Sequence, residues 1–234
     1  LINAIFFGDY GNRILPSTAG RTTMCPTELL FEAGKPPAIE LLPIETRSTN
    51  ASVAEFKRFP EEWRVVELDT ASAEAMHAAL SRVGEQKLVS QELAAKLGFA
   101  IDAEGKSGLK PDAGGLVEIP CWRHAVINFP HPLLEQGLVI LDTPGLNAIG
   151  AEPELTLSQL PNAHAILFIL AADTGVTQSD LAVWRDHVNG ARTRQKGRIA
   201  VLNKIDGLWD GIRSEAEIEA EISRQVKSTA DTLE

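Results

Sequence analysis

The stretch GLVILDTPGLNAIG, residues 137–150, decides how this chain is read. Its opening GLVIL has the branched, apolar composition of a buried strand. The run then stops at Asp142-Thr143-Pro144-Gly145. A strand that only fills a core gains nothing from a carboxylate at its tip, because burying a charge costs free energy. Asp142 therefore either closes a polar Pro-Gly turn or is carried by the strand to something it binds.

Three more runs of the same kind surround it. HAVINF (124–129) leads through Pro130 and Pro132 into the first stretch, and AHAILFILAAD (163–173) and GRIAVLNKID (197–206) come after it. Runs this apolar suit strands covered on both faces. Between and after them lie helical patterns. Ser179 can cap DLAVWRDHV, whose Leu181, Trp184 and Val188 share a face, with Asn189-Gly190 ending it. Ser214 and Glu217 have capping-box spacing ahead of an Ile218, Ile222, Val226 stripe. The expected fold class is therefore α/β, three-layered and doubly wound, on a mainly parallel sheet.

The first half is less regular. LINAIFFG (1–8) has the pattern of a short amphipathic helix ending near Gly8, AIELLPI (38–44) that of a strand. Residues 74–97 read as one helix with Met76, Leu80 and Val83 on a face, and 103–115 as a Gly- and Lys-rich loop. LVSQELAAKLGF (88–99) resembles the first helix of a helix-turn-helix, but the segment after Gly98 is acidic rather than a basic recognition helix. Arg123 and His124 beside Trp122 are read either as touching a partner or, equally well, as standing at a strand edge; Trp184 is expected in a core, and Glu45 with Arg47 as an ion pair.

Acids exceed bases 32 to 22, a formal charge of −10, which argues against nucleic acid as a partner. It leaves room for a nucleotide, since backbone amides and one divalent cation can hold phosphates in an acidic protein. Cys25 and Cys121 lack metal-ligand spacing, so a reducing, cytoplasmic setting is expected. No run reaches the roughly 18 apolar residues of a membrane span.

In open α/β sheets ligands bind at the carboxyl ends of strands. Asp142, Asp173 and the Asn203-Lys204-Ile205-Asp206 group all come directly after strand-like runs, so their tips are expected to open onto one crevice. The last group is the most specific. Guanine presents a ring N–H beside an exocyclic amine, and the single carboxylate of Asp206 can accept from both. Asn203 can approach the keto side, and the Lys204 stem can lie across the ring. A strand-end Asp142 suits the acid that holds magnesium, through water, in a phosphate-loop nucleotidase. Gly145 allows a backbone N–H to approach a terminal phosphate. The two motifs stand in this order, 61 residues apart from 142 to 203.

With those residues in place, the chain resembles the GTPase domain of the dynamin superfamily, in its bacterial dynamin-like branch. ILPSTAGRTTMCPTELL (14–30) stands where that family carries a leucine-proline turn and a switch threonine before a proline, with Thr23 the better match and Thr22 its neighbour. The resemblance implies GTP as substrate and Mg²⁺ as cofactor. It gives Thr23 and Asp142 catalytic and metal-binding roles, and Gly145, Asn203, Lys204 and Asp206 nucleotide-binding roles. It also implies self-association through the GTPase domain, membrane remodelling, and a cytoplasmic location at the inner face of a membrane. The alternative is a regulatory or non-hydrolysing GTPase-like interaction module. The resemblance spans 1–234 as one GTPase domain, with 34–115 a long insertion between switch threonine and DTPG. The family's phosphate loop is expected before Leu1. GKSGLK (105–110) neither follows a strand nor opens a helix and is not a substitute. The chain is accordingly read as cut at both ends, and inactive by itself.

Overall fold

Seven residues, 31–37, separate the strands β1 (Thr27–Leu30) and β2 (Ala38–Pro43). A parallel crossover needs about a dozen residues or more, so these two strands run in opposite directions. A third strand, β6 (Trp122–Asn128), lies between them, parallel to β1 and antiparallel to β2. β3 (Arg64–Glu67) and β7 (Ile140–Asp142) extend the sheet to the order β3-β2-β6-β1-β7. These relations come from a computed structural model, which describes residues 1–15, 25–49, 51–101, 109–142, 163–172, 174–189, 197–209 and 213–233. The chain forms two compact units, Leu1–Pro153 and Glu154–Glu234.

The five-stranded sheet belongs to the first unit. Only β1–β6 is parallel there; β1–β7, β2–β3 and β2–β6 are antiparallel. The mainly parallel order expected from the sequence is thus seen in one ladder of this sheet and not in the other three. The short 129–139 link between β6 and β7, which contains the single-turn helix α5 (Pro132–Glu135), has the same effect as 31–37, returning the chain antiparallel.

Alternation along the strands sorts side chains onto two faces. Leu29, Ile39, Leu41, Ala125 and Ile127 pack against Phe6 of α1 (Ile2–Phe6), Phe7, and Met76 and Leu80 of α3 (Ala73–Ser81). On the other face Leu42 and Val126 meet Val53 and Phe56 of α2 (Val53–Phe56) and Trp63. β6 is buried at all seven positions, as a central strand covered on both sides must be. This overturns the strand-edge reading of Arg123 and His124. Both are buried, and the Arg123 guanidinium donates to the carbonyls of Thr46 and Ala51.

The helix expected over 74–97 is broken. Met76, Leu80 and Val83 do share a buried face, but α3 tightens into a 3₁₀ turn at Arg82–Gly84 and ends. Gln86–Ser90 then forms β4, antiparallel to β5 (Leu116–Pro120). Ser90 caps the short helix α4 (Gln91–Lys96) by accepting from the Leu93 amide. The helical stripe runs on in sequence, but hairpin pairing claims the backbone after Gly84. β4, β5 and α4 enclose a separate small core of Val89, Ala94, Leu97, Phe99, Val117 and Ile119, with Ile44 reaching in. Glu45 pairs with Lys87 rather than Arg47. Arg47 instead stacks 4.3 Å over the Phe99 ring.

One polar cluster lies on the α2 side of the sheet. Lys57 Nζ sits 2.7 Å from both carboxylate oxygens of Glu28, and His124 Nε2 is 3.0 Å from Glu28 Oε1. Burial pushes the Glu28 carboxyl up, but the His124 and Lys57 hydrogen bonds outweigh it and hold the pKa at about 2. A carboxyl depressed on folding stabilises the fold above its unfolded value near 4.5, and that contribution disappears as pH falls through its folded value. Glu28→Gln should therefore cost about 2 kcal/mol at pH 6. The gap between variant and parent in urea unfolding should close as pH drops from 4.5 toward 2. A pH-independent gap would assign the loss to packing.

In the second unit β8 (Ala165–Ala171) and β9 (Gly197–Asn203) form a parallel pair in register from Ala165↔Gly197 to Ala171↔Asn203. Helix α6 (Gln178–Val183) starts two residues earlier than expected. Thr177, not Ser179, is its cap, because Asp180 three residues on completes the reciprocal capping box. It continues into a π-helical turn at Trp184–Asn189. Helix α7 (Glu215–Leu233) begins at the foreseen Ser214–Glu217 pair, with both the amide and hydroxyl of Ser214 donating to Glu217 Oε2. The half-buried Trp184 donates from its indole to the Leu233 carbonyl at 2.8 Å. Among the described residues no helix is long and apolar enough to cross a membrane.

Candidate functional site

Asp142 is the last residue of β7, paired antiparallel with Thr27, the first residue of β1. It therefore stands at the end of the sheet where β1 begins. Met24, Cys25 and Pro26 are all that separate Thr23 from that point. Asp142 is half-buried, and burial pushes its carboxyl pKa up. Nothing in the core requires an acid there. Thr22, Thr23, Gly145 and Asp173 lie outside the described residues, as does most of 105–110.

The second group sits on the second unit. β9 ends at Asn203, whose carbonyl accepts from the Ala172 amide at 2.9 Å, holding the tips of β8 and β9 together. Lys204 then takes φ 59°, ψ 30°, the sole left-handed non-glycine residue among those described. Such a conformation costs of order 1 kcal/mol and persists where surroundings impose it, often at functional positions. Its effect is a reversal: the chain leaves the strand and closes a 3₁₀ turn over Ile205–Leu208, with Gly207 N–H donating to the Lys204 carbonyl. Asn203, Lys204 and Asp206 are all exposed on this turn. Three candidate base-reading side chains thus share one small projection at the carboxyl end of a parallel ladder, where open α/β sheets bind ligands.

Sequence reading missed Trp209. It closes the same turn, its amide donating to the Asp206 carbonyl at 3.2 Å, and its side chain is 50% exposed. The available signal was an aromatic three residues beyond Asp206. No cluster of three or more His, Cys, Asp or Glu side chains able to hold a metal occurs among the described residues.

Residues 1–205 match the family model described as Dynamin family. The chain belongs to the dynamin family. A similar curated protein is a bacterial dynamin-like protein of Nostoc punctiforme, 33% identical over 90 residues, which are 38% of this chain and 12% of that protein. This dynamin-family chain thus spans a small part of the relative's length. Two solved structures of an oligomerised bacterial dynamin pair, described as providing a mechanism for long-range sensing and tethering of membranes, also resemble it. One is 18% identical, covering 92% of this chain and 26% of that one with a TM-score of 0.43. The other is 16% identical, covering 94% and 32%, with a TM-score of 0.46. Membership in the dynamin family agrees with a phosphate-loop α/β fold.

Proposed function

We propose that the full-length protein binds GTP and hydrolyses its terminal phosphoanhydride. The observation that carries this reading is the Asn203–Asp206 turn, shaped by a left-handed Lys204 at the end of a parallel strand in a dynamin-family chain. Asp206 would accept from the guanine N1–H and 2-amino group, Asn203 would approach the keto edge, and the Lys204 stem would cover one face of the ring.

Asp142 and Thr23 would serve the phosphate end. The pairing of Asp142 with Thr27 supports this, because Thr23 precedes Thr27 by only four residues in sequence. One half-buried carboxylate whose charge burial disfavours fits Mg²⁺, which takes one or two acids and completes its shell with water and phosphate. When bound, the ion would neutralise charge on the phosphates. Asp142 would hold its position and Thr23 would orient the attacking water. Gly145 would offer its amide to the terminal phosphate. The rate acceleration would come from placement and charge.

Family membership supports self-association through this domain; a cytoplasmic location and action on a membrane from its inner face belong to the same proposal. The test is phosphate release by the purified full-length protein with Mg²⁺ and GTP or ATP. Turnover with GTP and not ATP is expected. Tight GTP binding without turnover would favour the non-hydrolysing interaction module, and equal use of ATP would remove the base-reading assignment.

A further inference from the structure

We infer that the Trp209 indole is an aromatic wall of the base site, a stacking surface for the purine ring; the inference rests on the GTP reading above. Tryptophan is among the more buried residue types on average, yet this one is 50% exposed at the close of the candidate base turn. Two backbone hydrogen bonds set that turn: Gly207 N–H to the Lys204 carbonyl and Trp209 N–H to the Asp206 carbonyl. The second ties the position of Trp209 to that of Asp206. The chain's other tryptophans are explained by packing. Trp63 and Trp122 are buried and donate to the carbonyls of Phe56 and Arg82, and Trp184 donates to Leu233. Trp209 has no packing role of that kind among the described residues.

The chemistry needs such a surface. Asp206 and Asn203 can satisfy only the edge of a base. A flat ring held by its edge gains further from an apolar face, and the Lys204 stem offers at most one. Base–aromatic stacking is strong enough to matter and tolerant of base identity, since every purine has a π-face. Edge recognition and face recognition are therefore separable. Asp206 decides which base is held, whereas Trp209 adds to the affinity of any purine that enters.

That separation supplies the test. Dissociation constants of ribose-labelled GDP, IDP and XDP are measured by anisotropy for the full-length protein and for Trp209→Ala, Trp209→Phe and Asp206→Asn. Trp209→Ala should weaken all three nucleotides by a common factor of about ten. The GDP-to-XDP ratio should stay constant, and Trp209→Phe should recover most of the loss. Asp206→Asn should instead change the ratio. If Trp209→Ala binds GDP within twofold of the parent while Asp206→Asn loses it, the stacking role is wrong and the GTP reading stands. If Trp209→Phe binds no better than Trp209→Ala and both lower the unfolding temperature, the residue is structural and the inference falls. Parent protein that binds none of the three overturns the GTP reading itself.

Discussion

Asp206→Asn should convert the full-length protein from a GTP binder into an XTP binder. A carboxylate offers two acceptors to guanine's N1–H and 2-amino group. An amide offers one acceptor and one donor, so its NH₂ would face the 2-amino donor and leave both unpaired. Sites built around such a match reject the wrong partner by large factors. Affinity for GTP is expected to fall about 10³-fold. Xanthine carries a carbonyl where guanine carries the amine, and the amide matches it. Competition of labelled GTP with unlabelled GTP, XTP and ATP would read the exchange directly. Equal loss of all three, with no preference for XTP, would mean that Asp206 supports the turn instead of reading the base. Asp206 is exposed and its carbonyl, not its carboxylate, closes the turn, so the substitution should leave the turn intact.

On the proposed GTPase reading, Asp142→Ala and Thr23→Ala should each lower GTP turnover of the full-length protein by about 10²–10³-fold. Asp142 is the residue for which the structure gives an independent reason. Its burial raises the free energy of the charged form, and no described side chain forms an ion pair with it. Removing the carboxylate should therefore leave thermal stability unchanged or raised while turnover collapses. Steady-state phosphate release and an unfolding scan on the same samples separate the outcomes. Both variants turning over at the parent rate would displace the catalytic assignment to other residues.

The parts of this chain legible from sequence are those governed by local pattern. β6, β8 and β9 are plain from their apolar runs, and the Ser214–Glu217 start of α7 from its spacing. The Asn203–Asp206 group is visible because its members are neighbours in sequence. The hidden parts depend on distant partners. Glu28 and His124 are 96 residues apart, and Lys57 is 29 from Glu28. No local pattern signals that they meet. The same holds for β4, whose five residues look helical until Leu116–Pro120 pairs with them. Direction is lost too: a strand's composition does not say which way its neighbour runs, and the short 31–37 link decides that. The Thr177 cap is a different case, since Asp180 three residues later marks it and Ser179 merely stands closer to the apolar stripe.

The stretch 34–115 is no detachable cassette. It threads β2 and β3, two of the sheet's five members, through the heart of the first unit. A shortened version of this protein that deletes it wholesale would strip β6 of a flank and bare Ala125 and Ile127 to solvent. Engineers wanting to graft a reporter here have a better splice point in the β4–β5 hairpin, whose small core takes Ile44 from the body and is tied to it by Arg47 on Phe99 and by Glu45 with Lys87. A graft there must keep that isoleucine covered and leave those two contacts in place.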